Sequence, residues 1–306
     1  MSNLKLNVNN ETSRLKAVVL GIANSNGPTP TVAQAYDPKS IEHIKNGTYP
    51  KEADMILEMD EFEQALKKHD VQVFRPNVIK DYNQIFSRDI GFVIEDKFIK
   101  SNILPDRERE LIAIDYVLNQ ISKDQLITLP DDCHIEGGDV MPHNEYILVG
   151  TYRGEDYPDF ITARTNEAGV KALQDLFPNK IVKSFNLRKS NTDPKENALH
   201  LDCCFQPVGK GKAIVHKNGF LEEEEYLWLL DLFGKENVFE ISKEEMYDMT
   251  SNIFSIAPDV VVSDKHFIRL NNWLKEQGIA VEEINYREIA KQEGLLRCST
   301  LPLIRE

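Results

Sequence analysis

Residues 166–185 read NEAGVKALQDLFPNKIVKSF, a stretch that predicts one helix followed by one strand. Apolar residues recur at helical spacing from about Asn166 to Phe177, and the short β-branched pattern of Ile181 to Phe185 follows. The same order occurs four more times, with helices at about 55–69, 106–120, 221–233 and 265–277, and strands at 71–74, 126–129, 238–241 and 280–284. Successive strands start 55, 55, 57 and 42 residues apart, which predicts five related units.

A polar residue whose side chain could take part in catalysis or binding lies in the stretch after each of the five strands. These residues are Asp89, Glu136, His200, Asn252 and Cys298. If each unit turns the loop after its strand toward a common axis, the five side chains converge. The repeat therefore predicts a ring of units around a central site, in one domain over residues 1–306, since no long Gly/Ser linker interrupts it.

Composition restricts the classes of partner. The chain has 306 residues, 41% of them hydrophobic, which is enough for a sizeable core, and its formal charge of -14 argues against nucleic acid or an anionic membrane. No apolar run approaches the roughly 20 residues of a membrane helix, and Met1 to Asn10 lacks a secretory pattern. We expect a cytosolic protein with a small cationic partner, as a monomer or a homodimer.

Cys298, in Arg297-Cys298-Ser299, is the candidate nucleophile. The positive charge of Arg297 and of a protonated His200 is expected to lower the pKa of its thiol. A lone cysteine is more often a core residue, so this interpretation depends on the partner motifs. The four cysteines are too few and too irregularly spaced for a disulfide framework. The other three are therefore predicted to pack in the core: Cys133, Cys203 and Cys204.

Two carboxylate motifs accompany the histidine. His200 and Asp202 are separated by one residue, which on a strand would place both side chains on one face. Glu136 precedes Gly137-Gly138-Asp139, and from there it could accept a hydrogen bond from His200 and fix its tautomer.

The remaining acidic motif is Arg88-Asp89, which alone would be an ordinary ion-rich turn. A planar guanidinium has five donors, and pairing it in a dry pocket takes carboxylates from more than one side. Asp89 and Asp202 are the candidates for that pair.

Together these motifs resemble the guanidino-group-modifying enzymes, which comprise arginine deiminases, dimethylarginine dimethylaminohydrolases and amidinotransferases. The resemblance covers nearly the whole chain and rests on four segments in the family's order: residues 83–89 (NQIFSRD), 136–139 (EGGD), 200–202 (HLD) and 298–300 (CST). It implies a five-bladed α/β propeller of pseudo-fivefold ββαβ units, with neither cofactor nor metal.

The resemblance also implies roles for single residues. Cys298 would be the nucleophile, His200 the acid/base and Glu136 its partner, while Asp89 and Asp202 would bind the guanidinium. Further substrate-binding candidates come from the same motifs and from two matches to the residues that hold the amino-acid end of arginine: Arg88, Asp139, Asn83 and Arg164. The chain departs from the deiminases in lacking their extra helical domain and in a longer stretch between Val149 and Arg164.

The activity implied is hydrolysis of the guanidino or ureido group of arginine, an arginine derivative or citrulline through a covalent cysteine adduct. Citrulline, neutral at its ureido group, suits two ionised carboxylates less. Transfer of the amidino group to an acceptor amine is the alternative, because the sequence does not decide which nucleophile releases the adduct.

Three other classes compete. His134-Ile135-Glu136 resembles the start of a zinc deaminase site, with Cys133 and Asp139 nearby, but the Pro-Cys-x-x-Cys that should follow is missing. Gly209-Lys210-Gly211 resembles a nucleotide-binding loop without its third glycine. A non-catalytic binding protein would leave Cys298 and His200 unexplained.

Overall fold

The strands of this computed structural model, which describes residues 4–306, form five sheets of three strands each. In chain order they are β1 (Leu15–Leu20), β2 (Gln72–Phe74), β3 (Gly91–Ile94), β4 (Lys97–Lys100), β5 (Leu126–Thr128), β6 (Val140–His143), β7 (Tyr146–Thr151), β8 (Ile181–Asn186), β9 (Phe205–Val208), β10 (Lys212–Val215), β11 (Val238–Glu240), β12 (Phe254–Ala257), β13 (Val260–Asp264), β14 (Ala280–Ile284) and β15 (Thr300–Arg305). The first three residues of the predicted non-secretory segment 1–10 lie outside this description.

All five sheets repeat one pairing scheme. An inner strand runs antiparallel to a middle strand, and the middle strand runs parallel to an outer strand reached through a crossover. In the order inner, middle, outer, the sheets are β15-β1-β2, β3-β4-β5, β6-β7-β8, β9-β10-β11 and β12-β13-β14. The predicted five-bladed ββαβ propeller is confirmed, whereas its description as one domain over 1–306 stays a prediction.

The first blade joins distant parts of the chain. Its middle strand β1 pairs with β15, so that Leu20 lies opposite Thr300 and Leu15 opposite Arg305. The same strand β1 pairs in parallel with β2 on its other side. Closure of the ring therefore places Cys298, two residues before β15, at the inner end of a blade.

Burial follows the order of the strands within each blade. Strands β3, β9 and β12 are buried at every residue, whereas the outer strands β2, β5 and β11 are mostly half-buried or exposed. A strand buried on both faces shows no alternation of apolar and polar residues. For this reason the sequence pattern predicted the outer strands but not the inner ones.

The helices lie in the crossovers from middle to outer strands, except the seventh, which lies between β11 and β12. They are α1 (Pro38–Lys45), α2 (Glu52–Lys68), α3 (Arg109–Ile112), α4 (Asp115–Leu118), α5 (Glu167–Leu176), α6 (Glu223–Phe233), α7 (Lys243–Tyr247) and α8 (Ile268–Glu276). Four predicted helices are confirmed as α2, α5, α6 and α8. The single helix predicted over 106–120 is wrong, because a 3-10 turn at Pro105–Arg107 precedes α3, and Ile114, with ψ near 10°, separates α3 from α4. None of the helices within residues 4–306 combines the length and apolarity needed to span a membrane.

Candidate active site

Each polar residue singled out above lies at the start of an inner strand. Asp89 precedes β3, Glu136 precedes β6, His200 precedes β9, Asn252 precedes β12 and Cys298 precedes β15. All five side chains are buried. Because equivalent ends of the five inner strands meet near the ring axis, the blades bring these side chains to one place.

His200 and Glu136 form the tightest contact of the site. The imidazole Nε2 lies 2.8 Å from Glu136 Oε2, and Arg164 Nη1 donates to the same oxygen at 3.3 Å. Burial opposes ionisation of the carboxyl, but Arg164 and His200 outweigh it and lower the pKa of Glu136 to about 2. Glu136 is therefore an ionised acceptor that orients the imidazole.

A second carboxylate faces the other ring nitrogen. His200 Nδ1 lies 3.8 Å from Asp89 Oδ1. Burial disfavours the imidazolium, yet Asp89, Asp139 and Glu136 together raise the pKa of His200 above its usual value. The surrounding carboxylates thus favour the protonated imidazole.

Only one carboxylate oxygen of Asp89 accepts a hydrogen bond within the described residues. Its Oδ2 accepts from Arg107 Nη1 at 2.8 Å, and Arg107 is bound in turn by Glu110, with Nε 2.6 Å from Oε1. The other oxygen, Oδ1, is buried and has no hydrogen-bond partner in the described chain. An unpaired buried carboxylate oxygen is costly without a cation, so it is suited to a guanidinium ligand.

Gly138 allows His200 and Asp89 to approach one another. A Cβ at this position would lie 2.6 Å from the ring of His200 and 3.0 Å from Asp89 Oδ1. Neither the ring nor the paired carboxylate can move aside without losing its contacts. The second glycine of the Glu-Gly-Gly-Asp motif is therefore required by packing at the site.

Cys298 lies against Asp202 and Asn252. Its Sγ is 3.6 Å from Asp202 Oδ2 and 3.2 Å from Asn252 Nδ2, and Asn252 Oδ1 accepts from the backbone amide of Cys298 at 3.1 Å. Burial, followed by the charges of Asp202 and Asp89, raises the pKa of the Cys298 thiol well above its ordinary value. The prediction of a lowered thiol pKa is therefore wrong for the free enzyme.

Arg297 does not activate the thiol because its guanidinium points elsewhere. Nη1 donates to Asp202 Oδ2 at 2.8 Å and Nη2 donates to Glu11 Oε1 at 3.1 Å. The predicted same-face geometry of His200 and Asp202 is also wrong. His200 begins a 3-10 turn (Leu201–Cys203) instead of lying on a strand, so its ring faces Glu136 while Asp202 faces Arg297.

Two predicted substrate-binding residues lie behind the site. The Arg88 guanidinium contacts Thr300 Oγ1 at 3.4 Å and the backbone oxygen of Arg297 at 3.3 Å. Asp139 Oδ1 accepts from the backbone amide of Leu201 at 2.8 Å. These contacts fix the segments that carry Cys298 and His200, and they give neither side chain a contact with the carboxylates proposed for the guanidinium.

Asn83 and Arg164, predicted to hold the same end of a substrate, line two different cavities. Asn83 borders a cavity of about 510 Å³ and donates to Gln292 Oε1 at 2.7 Å. Arg164 borders a cavity of about 410 Å³ together with Glu136. The larger cavity also reaches Arg107, the neighbour of Asp89, whereas Cys298 and His200 line neither cavity.

The larger cavity is bordered by an irregular segment of the chain. Residues from Gly27 to Asp37 line it, and α1 follows. A second irregular segment, 154–160, contributes Tyr157 to the smaller cavity.

One group of side chains has metal-like geometry. Ligand atoms of Asp89, Glu136 and His200 lie within 4.8 Å of one another. Each carboxylate is already paired with an arginine, Asp89 with Arg107 and Glu136 with Arg164. The predicted competing cluster around Cys133 is dispersed, since His134 Nδ1 faces Asp156 at 3.3 Å and Glu136 faces His200.

Sequence reasoning missed three buried charged residues whose ion pairs reach the site: Glu11, Arg107 and Glu110. Arg107 and Glu110 are three residues apart in a segment predicted as one helix, so a buried pair on its inward side was a usable signal. No such signal was available for Glu11, because it lies 286 residues from its partner Arg297. The predicted packing of the other cysteines is confirmed, as Cys133, Cys203 and Cys204 lie in hydrophobic clusters.

Comparison with known proteins identifies the family of the chain. The profile of the family described as "N,N dimethylarginine dimethylhydrolase, eukaryotic" matches residues 39–305. The uncharacterized protein YkgA of Bacillus subtilis is 30% identical over 247 residues, covering 79% of this chain and 77% of YkgA. An arginine deiminase of Listeria monocytogenes is 25% identical over 268 residues, covering 73% of this chain but only 62% of the deiminase.

Among solved structures, the amidinotransferase SxtG from Microseira wollei superposes with a TM-score of 0.78 at 16% identity, covering 98% of both chains. At that identity the likeness shows a shared fold. The predicted resemblance to the guanidino-group-modifying superfamily is confirmed by these matches together.

Proposed function

We propose, from the premise that the chain belongs to the N,N dimethylarginine dimethylhydrolase family, that it hydrolyses the guanidino group of arginine or an arginine derivative through a covalent adduct on Cys298. That family and its relatives comprise hydrolases and amidinotransferases that act on guanidino groups. Of these two activities, the one proposed for this chain is hydrolysis of a small amino-acid-like substrate. The proposed compartment is the reducing cytosol, where the four free cysteines would persist.

One observation carries the proposal: a buried thiol, a histidine with a raised pKa and an unpartnered carboxylate oxygen lie at the inner ends of neighbouring blades. Asp89 Oδ1 has no hydrogen-bond donor, His200 has a raised pKa, and Cys298 Sγ lies 3.6 Å from Asp202. A guanidinium between Asp89 and Asp202 would supply the missing donors and the missing positive charge.

Binding of that cation would also favour the ionised form of the Cys298 thiol. The pKa of Cys298 is raised by burial and by two carboxylates. A guanidinium close to the sulfur offsets the charge of those carboxylates and stabilises the thiolate. The thiol would therefore ionise when substrate binds, and it would be protected from adventitious alkylation when the site is empty.

The bond changes follow from this arrangement. The Cys298 thiolate attacks the central guanidino carbon, one C–N bond breaks, and His200 donates its proton to the departing nitrogen. The carbon is left on sulfur as a thiouronium-type adduct. His200, now neutral, takes a proton from water as the water attacks the adduct carbon, and the C–S bond breaks to return the thiolate. Glu136 keeps the imidazole oriented in both steps.

The test is turnover by wild type and by Cys298→Ser, with Cys133→Ser as the matched control because Cys133 is buried outside the site. We expect ammonia or amine release from a panel of guanidino compounds, a loss of at least about 10³-fold in Cys298→Ser, and no change in Cys133→Ser. Quenched wild-type reactions should show an adduct on Cys298 by intact mass. Full turnover by Cys298→Ser would refute the proposal.

Transfer and hydrolysis are separated in the same assay. Release of product at an unchanged rate without added amine identifies water as the second nucleophile. Product formation that requires an acceptor amine, with the amidino group recovered on that amine, would identify an amidinotransferase instead.

A further inference from the structure

Asn252 joins the loop before β12 to the loop that carries the nucleophile. The residue is fully buried, and its backbone amide donates to the carbonyl of Met249 at 2.9 Å. Its own carbonyl accepts from the backbone amide of Arg297 at 3.3 Å. Because both backbone groups are engaged, the side chain of Asn252 is held in a fixed position beside Cys298.

A backbone donor sets the orientation of the Asn252 side-chain amide. The backbone N–H of Cys298 can only donate, so the atom that faces it at 3.1 Å is Oδ1. Nδ2 is then directed at two acceptors, the Sγ of Cys298 at 3.2 Å and the backbone oxygen of Asp202 at 3.4 Å. These two acceptors match the two hydrogens that Nδ2 carries.

The contacts of the sulfur with Asn252 and with Asp202 respond in opposite ways when the thiol ionises. The neutral thiol can donate to the Asp202 carboxylate, 3.6 Å away, whereas the thiolate has no proton to donate and is repelled by it. A hydrogen bond from an amide to a charged acceptor is stronger than one to a neutral acceptor. Within residues 4–306, no side chain other than Asn252 donates a hydrogen bond to this sulfur.

The other groups around the sulfur make such a donor important. Titratable neighbours come from the segments before β3, β9 and β15: Asp89, Asp202, Cys203 and Arg297. Burial, followed by the two aspartates, raises the pKa of the Cys298 thiol, while the backbone amide of Leu295 and the side-chain amide of Asn252 act in the opposite sense. The amide donor therefore offsets part of the cost of forming a thiolate in this site.

We propose that Asn252 is a further catalytic residue: its Nδ2 donates to the Cys298 sulfur and stabilises the thiolate that attacks the guanidino carbon, while its Oδ1 holds the backbone of Cys298. The inference rests on the proposed function in taking Cys298 as the nucleophile. It gives Asn252 the stabilising role that adjacency in sequence had suggested for Arg297.

The first experiment needs no substrate. The rate of iodoacetamide alkylation at Cys298 is measured against pH by peptide mass, in wild type, in Asn252→Ala and in the matched control Asn271→Ala. Asn271 is also a buried asparagine that donates to a backbone carbonyl, that of Asp264 at 2.9 Å, but it lies on α8. We expect the profile to move to higher pH in Asn252→Ala and to stay in place in the control. A rate lowered equally at every pH, as expected of a residue that only holds the backbone, or an unchanged profile would overturn the inference.

A second variant covers the case in which Asn252→Ala does not fold. Asn252→Asp keeps an oxygen for the backbone amide of Cys298 but replaces the donor with a second oxygen, so its profile should also move to higher pH. In both variants kcat for a guanidino substrate should fall at least about tenfold, as expected for the loss of one hydrogen bond to a charged group. KM should change little, because Asn252 contacts the sulfur and not Asp89.

The outcomes separate this inference from the proposed function. Wild-type alkylation and wild-type kcat in Asn252→Asp would overturn the role of Asn252 and leave hydrolysis through Cys298 intact. A shifted alkylation profile, together with no turnover of guanidino compounds by wild type, would support the contact between Asn252 and the thiolate and refute the hydrolase.

Discussion

Two buried ion networks flank the site and look alike: Glu110–Arg107–Asp89, here the substrate arm, and Glu11–Arg297–Asp202, the nucleophile arm. In each, one guanidinium joins two carboxylates, with 2.8 Å contacts to both aspartates. Their glutamates nevertheless titrate in opposite directions. Burial and the nearby Asp89 and Glu136 raise the pKa of Glu110 to about 7 despite Arg107, whereas burial of Glu11 is outweighed by Arg297 and Arg88, which lower its pKa to about 2.

The difference shows that the surroundings of an ion pair decide its response to pH. The carboxylate of Glu11 faces several guanidinium groups, so its ionised form is favoured. That of Glu110 shares a single guanidinium with another acid. The nucleophile arm is therefore fixed across the physiological range, and the substrate arm can change its charge near neutrality.

The largest contrast should appear when the central arginine is removed. Arg297→Met leaves Glu11 and Asp202 buried without a cation, and we expect a loss of about 3–5 kcal/mol in the free energy of unfolding. Arg107→Met should cost about half of that, because Glu110 can take up a proton near neutral pH. Urea denaturation of both variants at pH 7 measures this. Equal losses would show that the two arms do not differ as described.

A second contrast concerns the pH dependence of stability. The native pKa of Glu110 is raised from 4.5 to about 7, so the folded chain holds this proton longer and the group costs stability as pH rises between these values. The free energy of unfolding of Glu110→Gln should therefore rise relative to that of wild type by about 3.5 kcal/mol over that interval, at about 1.4 kcal/mol per pH unit.

Glu11 should behave in the opposite sense. Its native pKa is lowered from 4.5 to about 2, so its contribution is present above pH 4.5 and lost as pH falls toward 2. Glu11→Gln should therefore have a lower free energy of unfolding than wild type near neutral pH, and the difference should become smaller as the pH falls. Denaturation curves from pH 3 to pH 8 test both variants, and parallel pH profiles would contradict the contrast.

The smallest effect concerns the reactivity of the thiol. Both aspartates raise the pKa of Cys298, but the Asp202 carboxylate contributes more and lies 3.6 Å from the sulfur, so Asp202→Asn should lower the pKa of the thiol more than Asp89→Asn does. The pH dependence of iodoacetamide alkylation at Cys298, followed by peptide mass, provides the measurement. A larger shift in Asp89→Asn would reverse the roles of the two arms.

Sequence patterns predicted the parts of this molecule that are amphipathic. Helices α5 and α8 and the outer strands show clear periodicity because one face meets solvent. The positions of Asp89, Glu136, His200 and Cys298 were found because each follows a recognisable unit. Inner strands such as β9 were not found, since burial on both faces removes the alternation and Pro207 argues against a strand.

The partners of the buried arginines could not be predicted from the sequence for a different reason. Whether Arg297 faces the thiol or Glu11 depends on contacts between residues far apart in the chain, and no local pattern records them. The wrong expectation for the pKa of Cys298 follows from this, because adjacency of Arg297 and Cys298 in sequence was taken as proximity of charge.

Pairing of β15 with β1 has a consequence for how the enzyme folds. Residues at the two ends of β15 contact residues almost the whole length of the chain away, so this pairing carries the largest loop-closure entropy of any sheet contact in the ring. It also brings Cys298 to the axis. On this ground we expect β15 to pair late in folding, and a chain that has folded its other four blades would still lack the segment that carries Cys298 to the axis.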